Sequence, residues 1–161
     1  MRVEKCKLEN VLIIHLDEFV DARGYFIETY NKKLYEAAGI NIEFVQDDLS
    51  VSRKGVFRGI HGDDGTWKLI DCLFGEIYFV VVDPKTREYQ SFTLSPMSGL
   101  QILIPPKLGN GYLVMSDWAT FHYKQSTYYG EHKQFTIKYN DPLYSIYLPI
   151  KNPILSERDA G

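Results

Sequence analysis

Three side chains of this sequence have the chemistry needed to move a proton on and off carbon. His61 ends the segment Arg58–His61, Lys68 follows after a short polar loop, and Tyr123 stands far downstream. A neutral imidazole can accept a carbon-bound proton, an ammonium can stabilise the resulting enolate, and a phenol can return a proton. Together these groups are suited to inverting a stereocentre next to a ketone.

The other histidines fit such a role less well. The chain has four histidines. His15 lies within an apolar run and is expected to be structural, and His132 lies in a charged loop and is expected to be solvent-exposed. His122 directly precedes the candidate tyrosine in a predicted strand, so the two side chains point to opposite faces. Only His61 is flanked by glycines and bracketed by basic residues, although spacing alone leaves a structural role open.

The sequence lacks the ligand set of a metal site. Metal-binding β-barrels usually need several histidines, often a His-x-His pair, converging with a carboxylate on the ion. Here Ile60–Asp63 offers a single imidazole, and the later glycine-rich turn offers Asn110. We therefore expect no metal.

Other catalytic motifs are also missing. The sequence has no Gly-x-Ser-x-Gly elbow, no reactive-cysteine signature, and no phosphate loop or dinucleotide fingerprint. Cys6 and Cys72 are far apart without metal-ligand spacing, and we expect both to be reduced thiols. Proton transfer through an enolate requires no cofactor, and we expect none.

Bulk composition narrows the class further. The 161 residues, of which 45% are hydrophobic, suit one domain spanning 1–161. A formal net charge of -3 without a basic run argues against nucleic-acid binding. No secretory signal is visible in Met1–Asn10, and no apolar run approaches the ~20 residues needed to cross a membrane. We expect a cytoplasmic protein with no membrane partner.

Short segments rich in β-branched and aromatic residues dominate the chain, separated by Gly, Pro, Asn and Asp. The predicted strands are Val11–Leu16, Ile42–Gln46, Gly75–Asp83, Leu100–Pro105, Tyr112–Ser116, Thr120–Lys124, Phe135–Tyr139 and Ser145–Leu148. One helix is predicted at Lys32–Ala38, with Asn31 as its N-cap and Gly39 just past its end. Many strands with one or two short helices predict an all-β, double-sheet sandwich or barrel.

The segment Pro105–Tyr112 predicts a rigid turn that leads into a strand. Its glycines permit a tight turn or a close backbone approach. Such a turn fits the mouth of a jelly roll beside a ligand, and it equally fits an ordinary hairpin corner.

Polar clusters along nearly the whole chain carry a resemblance to a known family. These clusters are Phe19–Glu28, Gln46–Ser50, Arg58–His61, Lys68-Leu69, Gly75–Ile77, Tyr123-Lys124 with Tyr128-Tyr129, Asn140–Pro142 and Leu155–Asp159. In this order they resemble the dTDP-4-dehydrorhamnose 3,5-epimerase family, a cupin-type jelly roll that acts on nucleotide-linked 4-keto sugars.

The resemblance implies a role for each matched residue. His61 matches the base, Tyr123 the acid, Asp159 the carboxylate that orients the histidine, and Lys68 the lysine at the sugar keto oxygen. The substrate- and nucleotide-binding positions that it implies are Arg23, Glu28, Gln46, Asp48, Arg58, Asn110, Tyr129, Gln134 and Arg158. It also implies a homodimer, in which the neighbouring subunit supplies the Phe19–Glu28 segment to the nucleotide pocket.

The chain departs from the family pattern at positions that border the ligand. It has Asn110 where His is usual, Asp48 where Asn is usual, and Gln134 where Glu is usual. The loop between His61 and Lys68 is also short. The sequence of this segment is similar to that of a branch of the family acting on GDP-linked 4-keto heptoses in capsule synthesis. The choice between GDP and dTDP as the nucleotide, and between a hexose and a heptose as the sugar, stays open.

Two other functions compete with epimerisation. A sugar-nucleotide 3,4-ketoisomerase of the same fold also needs a histidine base, and a sugar-binding jelly roll needs no chemistry. The joint presence of His61, Lys68 and Tyr123 favours epimerisation at C3, C5 or both, without distinguishing among these outcomes.

Overall fold

The computed structural model describes all residues from Met1 to Gly161. The strands are β1 Arg2–Lys5, β2 Leu12–His15, β3 Glu18–Asp21, β4 Gly24–Ile27, β5 Gln46–Arg53, β6 Phe57–Asp63, β7 Lys68–Phe74, β8 Ile77–Val82, β9 Tyr89–Leu94, β10 Leu100–Ile104, β11 Gly109–Val114, β12 Trp118–Gln125 and β13 Gln134–Thr136. The helices are α1 Lys32–Ala37 and α2 Glu157–Ala160, with a 3-10 turn at Pro96–Ser98. The predicted all-β class is confirmed.

Two antiparallel sheets pack face to face. One is six-stranded, in the order β1-β2-β10-β7-β12-β5, and the other is five-stranded, in the order β13-β6-β11-β8-β9. The main core lies between them, where Ile70 and Ile102 of the larger sheet share a cluster with Phe79 and Val81 of the smaller. This arrangement is the predicted double-sheet jelly roll. The strands β3 and β4 pair only with each other.

Strand β12 shows how the sheets form both a core and a cavity. Alternate residues of a strand face the same side, and in β12 Ala119, Phe121, Tyr123 and Gln125 face inward. The first two are buried in the core, and the Phe121 ring stacks on Tyr112 at 4.2 Å. Further along the strand, Tyr123 and Gln125 line an open cavity. The inner face therefore changes from apolar to polar along the strand.

Helix α1 covers the outer face of the six-stranded sheet. Its Tyr35 packs with Ile40, Leu69 and Leu103 in a separate buried cluster. The predicted helix is confirmed, ending one residue early at Ala37, and the Asn31 side chain accepts a hydrogen bond from the Lys33 amide at 3.2 Å. None of the helices is long and apolar enough to cross a bilayer.

Two predicted strands are wrong. The chain is irregular over most of Ile42–Gln46 and throughout Ser145–Leu148. Phe44 packs onto the α1 cluster, and Ile146 packs onto the outer face of the five-stranded sheet. In both segments the apolar side chains pack an irregular stretch of chain onto the surface of a sheet. Residues with high β propensity are therefore present here because they are buried, and the segments do not pair as strands.

The sequence reading also missed strands, above all β5. In Gln46–Arg53 the polar residues Asp48, Ser50 and Ser52 point inward, whereas Leu49 and Val51 point outward and are exposed. This pattern inverts the usual apolar-in alternation because Asp48 and Ser50 line a cavity, while Ser52 accepts a hydrogen bond from Arg58 Nε at 2.9 Å. Strands are predicted from apolar residues at alternate positions on the inward face, so a strand with polar inward residues is hard to predict from sequence.

Candidate active site

A cavity of about 380 Å³ opens at one end of the sandwich. It lies where β6 and β12 end and where β5, β7 and β11 begin, so several strands contribute one or two inward side chains each. Its polar walls are formed by Asp48, Ser50, Arg58, His61, Asp63, Thr66, Lys68, Asn110, Gln125, His132, Gln134, Ser156, Arg158 and Asp159, with Tyr112, Phe121, Tyr123, Tyr128 and Tyr129 as aromatic lining.

His61 and Asp159 form a hydrogen-bonded pair in this cavity. The His61 Nε2 atom lies 2.7 Å from Asp159 Oδ1, and Asp159 is only 7% exposed. The short helix α2 places the carboxylate, because the Ser156 side chain caps the helix by accepting a bond from the Asp159 amide at 3.2 Å. In the neutral imidazole this contact keeps the proton on Nε2 and leaves the lone pair on Nδ1.

The surroundings of His61 favour its neutral form. Burial lowers the pKa of His61, and the positive charges of Arg158 and Lys68 lower it further, while Asp159 acts in the opposite direction. The net pKa lies below the ordinary value for histidine. The ring is therefore unprotonated at neutral pH, as a general base must be.

Tyr123 lies on another wall of the same cavity, and its pKa is shifted in the opposite direction. Burial raises the pKa of Tyr123 to about 12, and the negative charge of Asp48, its directly opposed residue on β5, contributes to the shift. The phenol therefore stays protonated at neutral pH. Two groups whose pKa values are displaced in these directions can act as a base and an acid in one pocket.

Lys68 enters the cavity from the first position of β7. Its Nζ atom lies 3.4 Å from Asp63 Oδ2, and both side chains are largely buried. No group of three or more His, Cys, Asp or Glu side chains is arranged to hold a metal ion. The cavity thus holds one fixed imidazole, one ammonium and one protonated phenol.

Comparison with known proteins agrees with this geometry. The sequence model of the dTDP-4-dehydrorhamnose 3,5-epimerases matches residues 5–161. The chain belongs to this epimerase family. The family's enzyme of Shigella flexneri is 37% identical over 170 residues, covering 100% of this chain and 94% of the relative. That of Salmonella typhimurium is 35% identical, covering 100% of this chain and 93% of the relative.

Solved structures of epimerases have the same fold. A dTDP-6-deoxy-D-glucose-3,5-epimerase of Legionella pneumophila, in complex with dTDP-4-keto-L-rhamnose, has a TM-score of 0.91 at 34% identity and covers 99% of this chain and 89% of its own. A Bacillus anthracis dTDP-4-dehydrorhamnose 3,5-epimerase with TDP and PPi bound has a TM-score of 0.92 at 31% identity, covering 98% and 95%. The chain is therefore a nucleotide-sugar epimerase of the isomerase class with a cupin-type jelly roll.

The epimerase cavity brings together most of the residues singled out in the sequence. Those lining it are His61, Lys68, Tyr123, Asp159, Asp48, Arg58, Asn110, Tyr129, Gln134 and Arg158. Gln46 lies behind this wall, where its Nε2 donates to Asp48 Oδ2 at 2.7 Å and its Oε1 accepts from the Tyr129 amide at 2.9 Å. Gln46 therefore supports the wall instead of lining the cavity.

Two of the expected binding residues lie outside the cavity. Arg23 sits at the tip of the β3–β4 ribbon and pairs with Asp21. Glu28 follows β4 and accepts a hydrogen bond from Asn31 Nδ2 at 3.1 Å. Within one chain neither side chain reaches the cavity of the epimerase.

The other three histidines lie in different surroundings, and one of them differs from expectation. His132, expected to be exposed, is half-buried and lines the cavity of the epimerase, with Nδ1 3.7 Å from Asp64 Oδ1. His122 does face away from the cavity, toward Asp47. His15 lies at the surface beside Glu4. The expectation for His132 was wrong because loop composition does not reveal which loops close over a cavity.

Sequence reading also missed Asp63. It stands two residues after His61 in β6, and residues two apart share one face of a strand. That alternation was available as a signal, but β6 was not predicted as a strand.

Proposed function

We propose that the epimerase inverts C3, C5 or both in a nucleoside-diphosphate-linked 4-keto sugar, with His61 as base and Tyr123 as acid. The observation that supports these roles best is the shared cavity, in which a carboxylate-oriented imidazole with a lowered pKa and a phenol with a raised pKa occur together. Asp159 acts as the residue that orients the base.

The first step removes a proton beside the ketone. The C4 carbonyl acidifies the hydrogens on C3 and C5, and His61 takes one of them as a proton. The electron pair of the broken C–H bond becomes the carbon–carbon π bond of the enolate, and the carbonyl π pair moves onto O4. Lys68 stabilises that charge, because an ammonium fixed in a cavity needs little reorganisation as the charge develops.

The second step delivers a proton to the other face of the ring. Tyr123 gives its proton to the carbon, the enolate pair forms the new C–H bond, and the carbonyl is restored. Exchange with water then returns a proton to the tyrosinate and removes one from the imidazolium. Arg58 and Arg158 line the cavity and are suited to binding the diphosphate through charge-assisted hydrogen bonds.

Hydrogen exchange in deuterium oxide tests these roles. We expect wild type to incorporate deuterium at the inverted carbon, and His61→Asn to lose exchange and inversion by about 10²-fold or more, since general base catalysis is worth at least that much. Tyr123→Phe should retain exchange but lose net inversion. His15→Asn, at the protein surface, is the matched control and should behave as wild type.

The outcomes separate this function from its competitors. Near-normal exchange in His61→Asn would exclude His61 as the base, and equal loss of exchange and inversion in Tyr123→Phe would exclude Tyr123 as the acid. A product whose carbonyl has moved from C4 to C3 would identify a ketoisomerase. Tight binding without exchange would identify a sugar-binding protein that performs no chemistry.

The narrower proposal for the substrate is a GDP-linked 4-keto heptose used in capsule synthesis. It is supported by the resemblance of the segment from Gly59 to Leu69 to that branch of the family, and by Asp48, Asn110 and Gln134, which depart from the usual residues and line the cavity. A panel of GDP- and dTDP-linked 4-keto hexoses and heptoses in deuterium oxide tests it. Faster exchange with the dTDP-linked hexose than with the GDP-linked heptose would overturn it.

The functional unit that we propose is a homodimer. The β3–β4 ribbon pairs with no other strand and exposes Phe19, Val20 and Phe26, at 62%, 73% and 65%. Phe19 and Phe26 are paired on one face of the ribbon and Val20 lies on the other, and large exposed apolar side chains of this kind mark an interaction surface. Arg23 and Glu28 lie on or beside this ribbon outside the cavity, so docking it against a second copy of the chain provides a route by which they reach the partner's nucleotide.

A further inference from the structure

The short loop between the proposed base and the proposed lysine is organised around one carboxylate. Asp63 ends β6, is 8% exposed, and lines the cavity on the same face of the strand as His61. Its Oδ1 atom accepts hydrogen bonds from the backbone amides of Gly65 at 3.1 Å and Thr66 at 2.7 Å. An aspartate that accepts bonds from the residues just after it fixes the direction of a turn.

The second oxygen of the same carboxylate faces the lysine. Asp63 Oδ2 lies 3.4 Å from Lys68 Nζ. Each oxygen of Asp63 therefore has a separate contact, one with the loop backbone and one with the ammonium. Lysine carries its charge on a flexible four-carbon stem, so its position depends strongly on a fixed partner.

Asp63 is ionised in this setting. Burial opposes ionisation, but the hydrogen bond from Thr66, the charge of Lys68 and the backbone N–H groups outweigh it, so the pKa of Asp63 is lowered. The loop is also tied to the chain that follows β12, because Thr66 Oγ1 lies 2.8 Å from Thr127 Oγ1 and the Trp67 amide donates to Ser126 Oγ at 2.9 Å. The carboxylate is thus held in place on a loop that is itself anchored.

We propose that Asp63 is a positioning residue, which holds the Lys68 ammonium where the enolate oxygen develops its charge. This inference rests on the proposed function, since it assigns the residue that makes Lys68 effective. The three donors of an ammonium leave it able to bind Asp63 and the substrate oxygen at the same time. Asp63 itself does not contact the reacting atoms in this role.

The substitution Asp63→Asn separates the two contacts. Its amide oxygen can still accept from Gly65 and Thr66, which preserves the turn, while the charge opposite Lys68 is lost. We expect kcat for inversion to fall by about 10- to 100-fold with a much smaller change in KM, because misplacement of a group that acts in the transition state has effects of this order. The control Asp117→Asn, at an exposed carboxylate outside the cavity, should stay within about twofold of wild type.

A double-mutant cycle with Lys68→Gln decides whether Asp63 acts through the lysine. If it does, adding Asp63→Asn to Lys68→Gln costs less than about twofold more, because the positioned group is already gone. If the Asp63 carboxylate only maintained the loop, Asp63→Asn would cause the same loss of activity in wild type and in Lys68→Gln. That result would overturn the proposal. Wild-type kcat in Asp63→Asn would overturn it as well.

Circular dichroism and thermal melting of each variant exclude loss of folding as the cause. If Asp63→Asn fails to fold, Asp63→Ser enters the same cycle, since a serine hydroxyl can also accept from the turn amides. The outcome is distinct from failure of the proposed function. Absence of deuterium uptake by wild type overturns the function, whereas normal uptake in wild type with an independent effect of Asp63 overturns this inference alone.

Discussion

At the scale of single residues, burial shifts the pKa values of His61 and Tyr123 in opposite directions. Burial favours the neutral form of both side chains, which lowers the pKa of an imidazole and raises that of a phenol. The nearby carboxylates then differ in effect. Asp159 opposes burial at His61 and orients its ring, whereas Asp48 reinforces burial at Tyr123. One physical cause thus suits the imidazole to the proposed role of base and the phenol to the proposed role of acid.

The first prediction concerns the pH dependence that Asp159 controls. Removing its negative charge in Asp159→Asn removes the contribution that raises the pKa of His61. The base then stays unprotonated to lower pH, so the acidic limb of the kcat/KM profile should move to lower pH, while kcat itself falls because the ring loses its orienting partner. The measurement is kcat/KM for inversion as a function of pH.

Glu157→Gln is the control for this profile. Glu157 lies on the same helix but is exposed, so its substitution should leave the acidic limb in place. A shift of the limb to higher pH in Asp159→Asn would contradict the assignment of His61 as the titrating base.

At the scale of elements, a four-residue helix places the carboxylate that contacts His61. Helix α2 follows the bridge between Val56 and Ile154, which ties the C-terminal segment to the start of β6. A helix this short has little stability of its own. The geometry of α2 therefore depends on the Ser156 cap. The placement of Asp159 beside His61 depends on the same cap.

The second prediction is that Ser156→Ala lowers activity without lowering global stability. Loss of an N-cap costs about 1 kcal/mol, which corresponds to a drop of up to about fivefold in the folded fraction of a marginal helix. We expect kcat to fall by up to that factor while the melting temperature changes little, since chain ends can unfold locally. Ser91→Ala in β9, outside the cavity, is the control. A large fall in melting temperature would show that α2 is part of the global folding unit.

At the scale of the whole molecule, the monomer exposes an apolar ribbon and keeps two expected binding residues away from its own cavity. The exposed side chains at Phe19, Val20 and Phe26 are hard to reconcile with an isolated chain in water. Strand β5, an edge of the larger sheet, also exposes Leu49 and Val51. The proposed homodimer accounts for these surfaces together.

The third prediction tests the assembly. Sedimentation equilibrium of wild type should give a mass about twice the 18.7 kDa of one chain. Phe26→Asp places a charge in the proposed interface, so we expect a shift toward monomer together with weaker nucleotide-sugar binding measured by calorimetry. Leu143→Asp, at an exposed leucine outside the ribbon, should remain dimeric. A monomeric wild type with full activity would contradict the proposal.

Local patterns were sufficient for the fold class and for part of the site. Alternation and turn residues predicted the all-β class, and the Asn31 cap with Gly39 predicted α1, because these signals act over a few residues. The resemblance predicted His61, Lys68, Tyr123 and Asp159 as catalytic residues from ordered motifs, and the structure brings all four into one cavity. The resemblance does not describe the local environment that shifts the pKa values of His61 and Tyr123.

Contacts between distant segments were decided by the tertiary structure. Asp159 meets His61 from 98 positions away along the chain, and a bare sequence contains no distance that would pair them. Three other features also exist only once two sheets enclose a cavity. They are the inward polar face of β5, the cavity wall at His132 and the two contacts of Asp63. Burial and charge proximity are properties of packing, and these determine which of many polar residues can become a base, an acid or a fixed cation.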